Sequence, residues 1–264
     1  MPLPQLLALN AVVLVALILV LWAVNLKTRD PSFIDAWWGA GMGLAAAVSY
    51  LAVGNHGARQ AVLTSICVAW GLRLGIYLFR RWRAHGPDRR YVRMMADAQT
   101  RRGWSYGFAS LILVFALQAP LQILVCLPVQ LGQYGPTTLG PVAMAGAVLA
   151  LFGLVFESVG DWQLSRFKAD PANAGKVLDT GLWRYTRHPN YFGDACVWWG
   201  LGLIGTEAGG PGLIALAGPV LITFLLTRVS GVPTSEAGIA KRRPDYAAYL
   251  ARTSGFIPLP PKQI

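Results

Sequence analysis

The stretch LPQLLALNAVVLVALILVLWAVN, residues 3–25, is an almost unbroken aliphatic run with no Lys or Arg before Lys27. About 20 helical residues rising about 1.5 Å each cross the hydrocarbon core of a bilayer, so this run reads as one membrane span. It exceeds the apolar core of a signal peptide and lacks a basic start, so a retained span is expected rather than a cleaved leader. The same character continues along the 264 residues, of which 55% are hydrophobic and 13% charged, with a mean hydropathy of +0.46. The expectation is therefore an all-α polytopic integral membrane protein. It has seven transmembrane helices near 3–25, 33–53, 60–80, 104–131, 139–160, 191–207 and 212–230.

Charge placement orders these spans. With the N-terminus outside, the inward loops 26–32, 80–103 and 161–190 and the tail from 228 carry 21 of the 23 Lys and Arg. Arg59 alone falls in an outward loop, and Arg73 lies within the third span. That asymmetry predicts a cytoplasmic C-terminus and placement in a bacterial inner membrane. The net charge of +11 then reflects orientation and contact with membrane lipid. No soluble basic domain accompanies it, which excludes nucleic acid, and nothing calls for an obligatory protein partner. Cys67, Cys126 and Cys196 sit singly in apolar spans, with neither disulfide nor metal-ligand spacing. The outward loops 54–59, 132–138 and 208–211 are short connections, whereas the inward segments mix bases with Asp, Glu, Tyr and Trp. Function is expected on the cytoplasmic side. One membrane domain covers 1–264, with helices 1–4 over 1–135 as a substrate-side half and helices 5–7 over 136–264 as a cofactor-side half.

Chemistry concentrates at Arg187-His188-Pro189-Asn190-Tyr191-Phe192-Gly193-Asp194. Pro189 suits a first helical turn and Gly193 admits a close backbone or ligand, so this is either a helix start facing an anion or amide, or a juxtamembrane cap. Upstream, Glu157 and Asp161 stand one turn apart and share a face with Lys168. They form either an ion-pair ladder or one wall of a site. The stretch from Asn173 through Lys176 to Tyr185 joins them to the motif. Beyond the last span, Ser230-Gly231-Val232-Pro233 interrupts the helix. Glu236 and the basic Lys241-Arg242-Arg243 follow, and then Tyr246 and Tyr249, three apart on one helical face. Those tyrosines serve either an interfacial helix or a site.

Taken together, the Arg-His-Pro-Asn-Tyr-Phe-Gly-Asp motif, the preceding Asp161-x-Gln163-x-x-x-Phe167-Lys168, the later Glu236, Tyr246-x-x-Tyr249 and Phe256-Ile257-Pro258 resemble the C-terminal domain of the steroid 5-alpha-reductase family. The resemblance covers about residues 150–260, and related patterns occur in sterol reductases and isoprenylcysteine methyltransferases. It implies a seven-helix membrane fold. The implied reaction transfers a hydride from NADPH to the β-carbon of an enone, such as the 4-ene-3-one of a steroid. Position by position, the resemblance assigns cofactor contacts to Asp161, Lys168, Asn173, Lys176, Tyr185, Arg187, Asn190, Tyr191 and Asp194, with Glu236, Tyr249 and Arg252 added. The eight Arg between Arg80 and Arg102 are expected to close over the 2′-phosphate and favour NADPH over NADH.

A hydrophobic, steroid-like substrate is expected to enter from lipid among the first four helices, against Trp38, Trp70 and Arg73. Relatives use a Gln-Glu pair on the second helix and a Tyr on the third. This chain has no such pair near residue 35, and matching Arg73 and Tyr77 to the relatives puts Trp70 where that Tyr falls. Asp35, at the start of the second span, is the first candidate for the acid, protonated by burial; Tyr77 is the second. The alternatives are a helix-start carboxylate for Asp35 and packing for Tyr77. The same motif also fits an integral-membrane S-adenosylmethionine-dependent methyltransferase, or a non-enzymatic lipid-binding protein.

Overall fold

The computed structural model describes residues 1–237, 239 and 243–263, among which every regular element is helical. Lys241 and Arg242 lie outside the described residues. In chain order the helices are α1 Leu3–Thr28, α2 Ile34–Val53, α3 Ala58–His85, α4 Arg89–Arg102, α5 Tyr106–Val125 and α6 Leu127–Leu131. They continue as α7 Pro141–Ala169, α8 Pro189–Thr206, α9 Ala217–Phe224, α10 Val232–Glu236 and α11 Tyr246–Arg252. Among the described residues, six segments are long and apolar enough to cross a bilayer: α1, α2, α3, α5, α7 and residues 212–236. The chain is a polytopic membrane protein.

The expected span 191–207 coincides with α8, which carries Asn190 and Asp194 in its first turns and falls outside those six. Its polarity is compatible with its position, because it is buried among other helices. Glycine explains the tightest contact in the bundle, that of α7 with α8. Gly146, Gly153 and Gly160 recur every seven residues along one side of α7, opposite Gly193 and Gly200. A Cβ on Gly153 would lie 2.5 Å from the Gly193 carbonyl oxygen, so the backbones meet where any side chain would separate them. α2 and α3 pair in the same way through Gly39 and Gly71, where a Cβ on Gly39 would come within 2.9 Å of the Gly71 carbonyl.

Two expectations need correction. The inward segment 80–103 is not a loop: α3 runs on to His85, and α4 fills Arg89–Arg102. Asp88 caps α4 by accepting from the Arg90 amide at 2.8 Å, and Gly86 and Gly103, both at positive φ, end the helices on either side. The span 104–131 is interrupted: a π turn occupies Leu111–Phe115 and the helix breaks at Cys126. Pro120 and Pro128 account for both, since each removes an N–H and crowds the carbonyl four residues earlier. A second π turn, Leu225–Val229, continues α9. All three cysteines are buried and unpaired.

Candidate functional site

Two cavities meet between the halves of the chain. One, of about 540 Å³, is a largely apolar chamber walled by Trp38, Leu113, Leu117, Leu121, Ile222 and Leu226. The other, of about 730 Å³, is a vestibule bordered by Arg80, Arg81, His85, Arg90 and Lys168. They share Asp35, Tyr77, Leu78, Arg81, Arg90 and Tyr191, so each opens on the other.

The floor of the chamber is a buried charge cluster built by the α7–α8 glycine contact. Glu157 and Asp161 are 2% and 3% exposed on α7, and Asp194 is 7% exposed on α8. Arg73 of α3 bridges the first two, with Nη1 donating to Glu157 Oε1 and Nη2 to Asp161 Oδ2, each at 2.6 Å. Trp70 Nε1 donates to the other Glu157 oxygen at 2.8 Å, and Asn190 Nδ2 to Asp161 Oδ1 at 3.2 Å. One guanidinium thus serves two carboxylates while a third, Asp194, has no partner for Oδ1 among the described residues. The Oδ1 of Asn190 is likewise without a partner. Both residues line the chamber, where a ligand's N–H or O–H would satisfy them.

Across the chamber, Asp35 accepts from the Tyr91 hydroxyl at 2.6 Å and from Arg90 Nη2 at 3.4 Å. Burial first, and then the Asp35 charge, raise the Tyr91 phenol above its ordinary value, so it stays a neutral donor. Burial would also raise the neighbouring Asp88 carboxyl, but hydrogen bonds from the Arg90 side chain and backbone hold it below the usual range. α4 therefore brings a phenol and a guanidinium to one carboxylate.

The sequence matches, over residues 21–253, the family described as "Protein of unknown function (DUF1295)". The chain belongs to the DUF1295 family. That family is related to the steroid 5-alpha-reductases. An uncharacterized protein of Schizosaccharomyces pombe is 24% identical over 215 residues, covering 72% of this chain; the chain spans 61% of that relative's length. No solved structure matches the chain.

This DUF1295 protein gathers only some of the expected site residues. Asp35, Trp38, Tyr77, Asp161, Asn190, Tyr191 and Asp194 line the chamber, and Lys168 the vestibule. Tyr77 lies 5.5 Å beneath the Arg73 guanidinium and accepts from Ser165 at 3.4 Å. Trp70 has no exposed surface and Arg73 is turned onto the carboxylates, so both position the floor of the chamber from behind.

Arg187, Glu236, Tyr249 and Arg252 border neither cavity. They form a clasp between the chain's end and the start of α8. Arg187 and His188 meet Glu236 at 2.7 and 2.9 Å, Arg187 also donates to the Thr253 carbonyl at 2.8 Å, and Tyr249 donates to the Trp183 carbonyl at 2.6 Å. Arg252 pairs with Asp179. Asn173 is spent on the Phe167 carbonyl at 3.1 Å, and Lys176 and Tyr185 are exposed and border neither cavity.

Two site groups were not anticipated as such. Glu157 was visible as the partner of Asp161 one turn away, and its pairing with Arg73 completes the cluster. Tyr91 carried no sequence signal, because it reaches Asp35 only once residues 89–102 are helical.

Proposed function

We propose that this chain is a membrane oxidoreductase of the steroid 5-alpha-reductase type, which uses NADPH to reduce the carbon–carbon double bond of a lipophilic enone. The observation that carries the reading is the pair of Oδ1 atoms, of Asp194 and Asn190, left without a partner among the described residues on the wall of an apolar chamber that opens into a basic vestibule. A dinucleotide with a carboxamide at one end and phosphates at the other matches that polarity. Asn190 and Asp194 would accept from the carboxamide N–H, while Arg80, Arg81 and Lys168 would neutralise the phosphates. When bound, NADPH supplies the hydride for the β-carbon.

The chain's own part is to hold the enone and complete the charge balance. Tyr91, kept neutral, would turn its hydroxyl from Asp35 to the enone oxygen as hydride reaches the β-carbon and give up its proton there; the enol so formed would then take a vestibule proton at the neighbouring carbon and return the oxygen-bound proton to Tyr91, so one hydride and one proton are added overall. Asp35 accepts from both Tyr91 and Arg90, so it orients Tyr91 and leaves the donor role to the phenol. The apolar walls exclude water from the reduced bond.

The same proposal includes α8 as a seventh span, the N-terminus outside and the C-terminus in the cytoplasm of a bacterial inner membrane. The vestibule then faces cytoplasmic NADPH. The clustering of 21 of 23 Lys and Arg on one side supports this orientation. The test is incubation of purified chain in nanodiscs with NADPH and progesterone, read by mass spectrometry. A product heavier by one H₂ unit is expected. Absence of NADPH binding together with tight S-adenosylmethionine binding would replace the reading by a methyltransferase.

A further inference from the structure

The chamber is not closed toward the membrane. Leu117 and Val229 both line it, yet they are 56% and 49% exposed, so the same side chains face the cavity and the lipid. Residues 118–125 of α5 pack on α9, and the following α6 packs on residues 210–216, which precede α9; the two helices are therefore antiparallel. That register sets the π turns 111–115 and 225–229 at the same depth, where the packing of α5 on α9 is no longer sustained. A crevice opens there between the two halves of the chain. Its edges, Leu113, Leu117, Leu225 and Val229, are aliphatic; the neighbouring Gln118 spends its amide on the Val114 carbonyl at 3.2 Å, while Asp35, Arg90 and Tyr91 belong to α2 and α4 and the carboxylates of the floor to α7 and α8. π turns are rare within α-helices and, where they occur, frequently mark functional sites, and two facing each other across one cavity fit a built opening.

We propose that the substrate is a long-tailed amphiphile whose enone head reaches Tyr91 and whose hydrocarbon tail leaves the chamber through the α5–α9 crevice into the bilayer. This rests on the reductase reading for the identity of the head group. A ligand wholly enclosed by protein would require an apolar wall where Leu117 and Val229 instead meet lipid. A tail lying in the crevice covers those edges and keeps the substrate in the membrane throughout, so product returns to the leaflet without crossing water. It also moves the entry from the first four helices to the seam between the halves.

The probe is a stearyl-length α,β-unsaturated methyl ketone with a diazirine beside the carbonyl, photolysed with the full chain in nanodiscs. Labelling of Trp38 and Leu121, saturable by unlabelled ketone, is expected. In a Leu117→Cys/Val229→Cys protein bridged by a reductant-cleavable bis-thiosulfonate linker, that labelling should fall at least about tenfold and return on cleavage. Labelling that persists with the bridge in place, or that marks only outward residues such as Phe224, overturns the proposal. If the double variant does not fold, Leu113→Trp with Leu225→Trp fills the crevice and the same loss is required. Failure of the reductase reading is separate: bridge-sensitive labelling without NADPH-dependent loss of the double bond in the unmodified chain leaves the tail site and removes the enone reaction.

Discussion

The two ends of the bundle handle buried charge in opposite ways. At one end Arg59, with no exposed surface, donates to the carbonyls of Pro136 at 2.9 Å, Ile204 at 3.3 Å and Tyr134. Glu207 nearby accepts from the Gly140 and Ala143 amides at the start of α7, both at 3.0 Å. Every charge there is consumed by backbone that helix ends leave unpaired. At the other end two carboxylates share Arg73, and a third, Asp194, keeps an oxygen with no partner among the described residues. Away from water a buried charge persists only if it is paired or has work to do, so the first arrangement reads as structure and the second as a site.

Removing each arginine tests that contrast. Arg73→Ala strands Glu157 and Asp161 without their cation and should cost about 3–5 kcal/mol, read as a large fall in the detergent unfolding midpoint. Adding Glu157→Gln and Asp161→Asn should recover much of the loss, because the stranded charge is then gone; no recovery would mean that Arg73 contributes by packing. Arg59→Met leaves carbonyls rather than charges unsatisfied. Its cost should be smaller, about 2–3 kcal/mol, with NADPH affinity unchanged in the molecules that fold. A shift in NADPH affinity there would undo the division between the two ends.

Asp194→Asn sharpens the contrast from the functional side. The change is isosteric and removes a charge that lacks a full set of partners, so stability should hold or rise. NADPH binding, followed by nucleotide fluorescence, should weaken about tenfold. Lower stability with normal binding would make Asp194 a structural group and take away the main support for the cofactor site.

How much of this was legible in sequence depends on the range of each contact. The apolar runs located α1, α2, α3 and α7 closely, since composition alone decides a span. Residues 80–103 misled because basic composition resembles a loop, and only the Asp88 cap with glycines at both ends shows that a helix fits. Motif spacing singled out Asp161, Asn190 and Asp194, which the glycine-lined α7–α8 contact brings together at the chamber. It singled out Arg187, Glu236 and Tyr249 by the same residue types, and only the fold shows that they gather in the clasp rather than at either cavity. It could not find Tyr91, whose partner Asp35 is 56 positions away and whose placement depends on α4.

The clasp supplies the smallest effect and a use of pH. Burial, then the neighbouring Glu236, push the Tyr246 phenol up to about 12. Tyr249, also buried, is raised as well and must keep its proton to donate to the Trp183 carbonyl. Folded values above the free phenol's value of about 10 mean that the neutral forms are the ones the fold favours. Their contribution is therefore complete below about pH 10 and is lost as pH climbs toward and past the folded values. Limited proteolysis of residues 246–263 should accelerate over that window. Tyr249→Phe, which deletes one hydrogen bond of about 1 kcal/mol, should accelerate it already at neutral pH. At the Arg59 end the Tyr134 phenol donates to the exposed Met1 carbonyl at 3.0 Å and only its carbonyl joins the cage, so cleavage near residues 134–140 should stay slow in both cases. Simultaneous cleavage at the two ends would show that they unfold as one unit, and the clasp would then be inseparable from the bundle it closes.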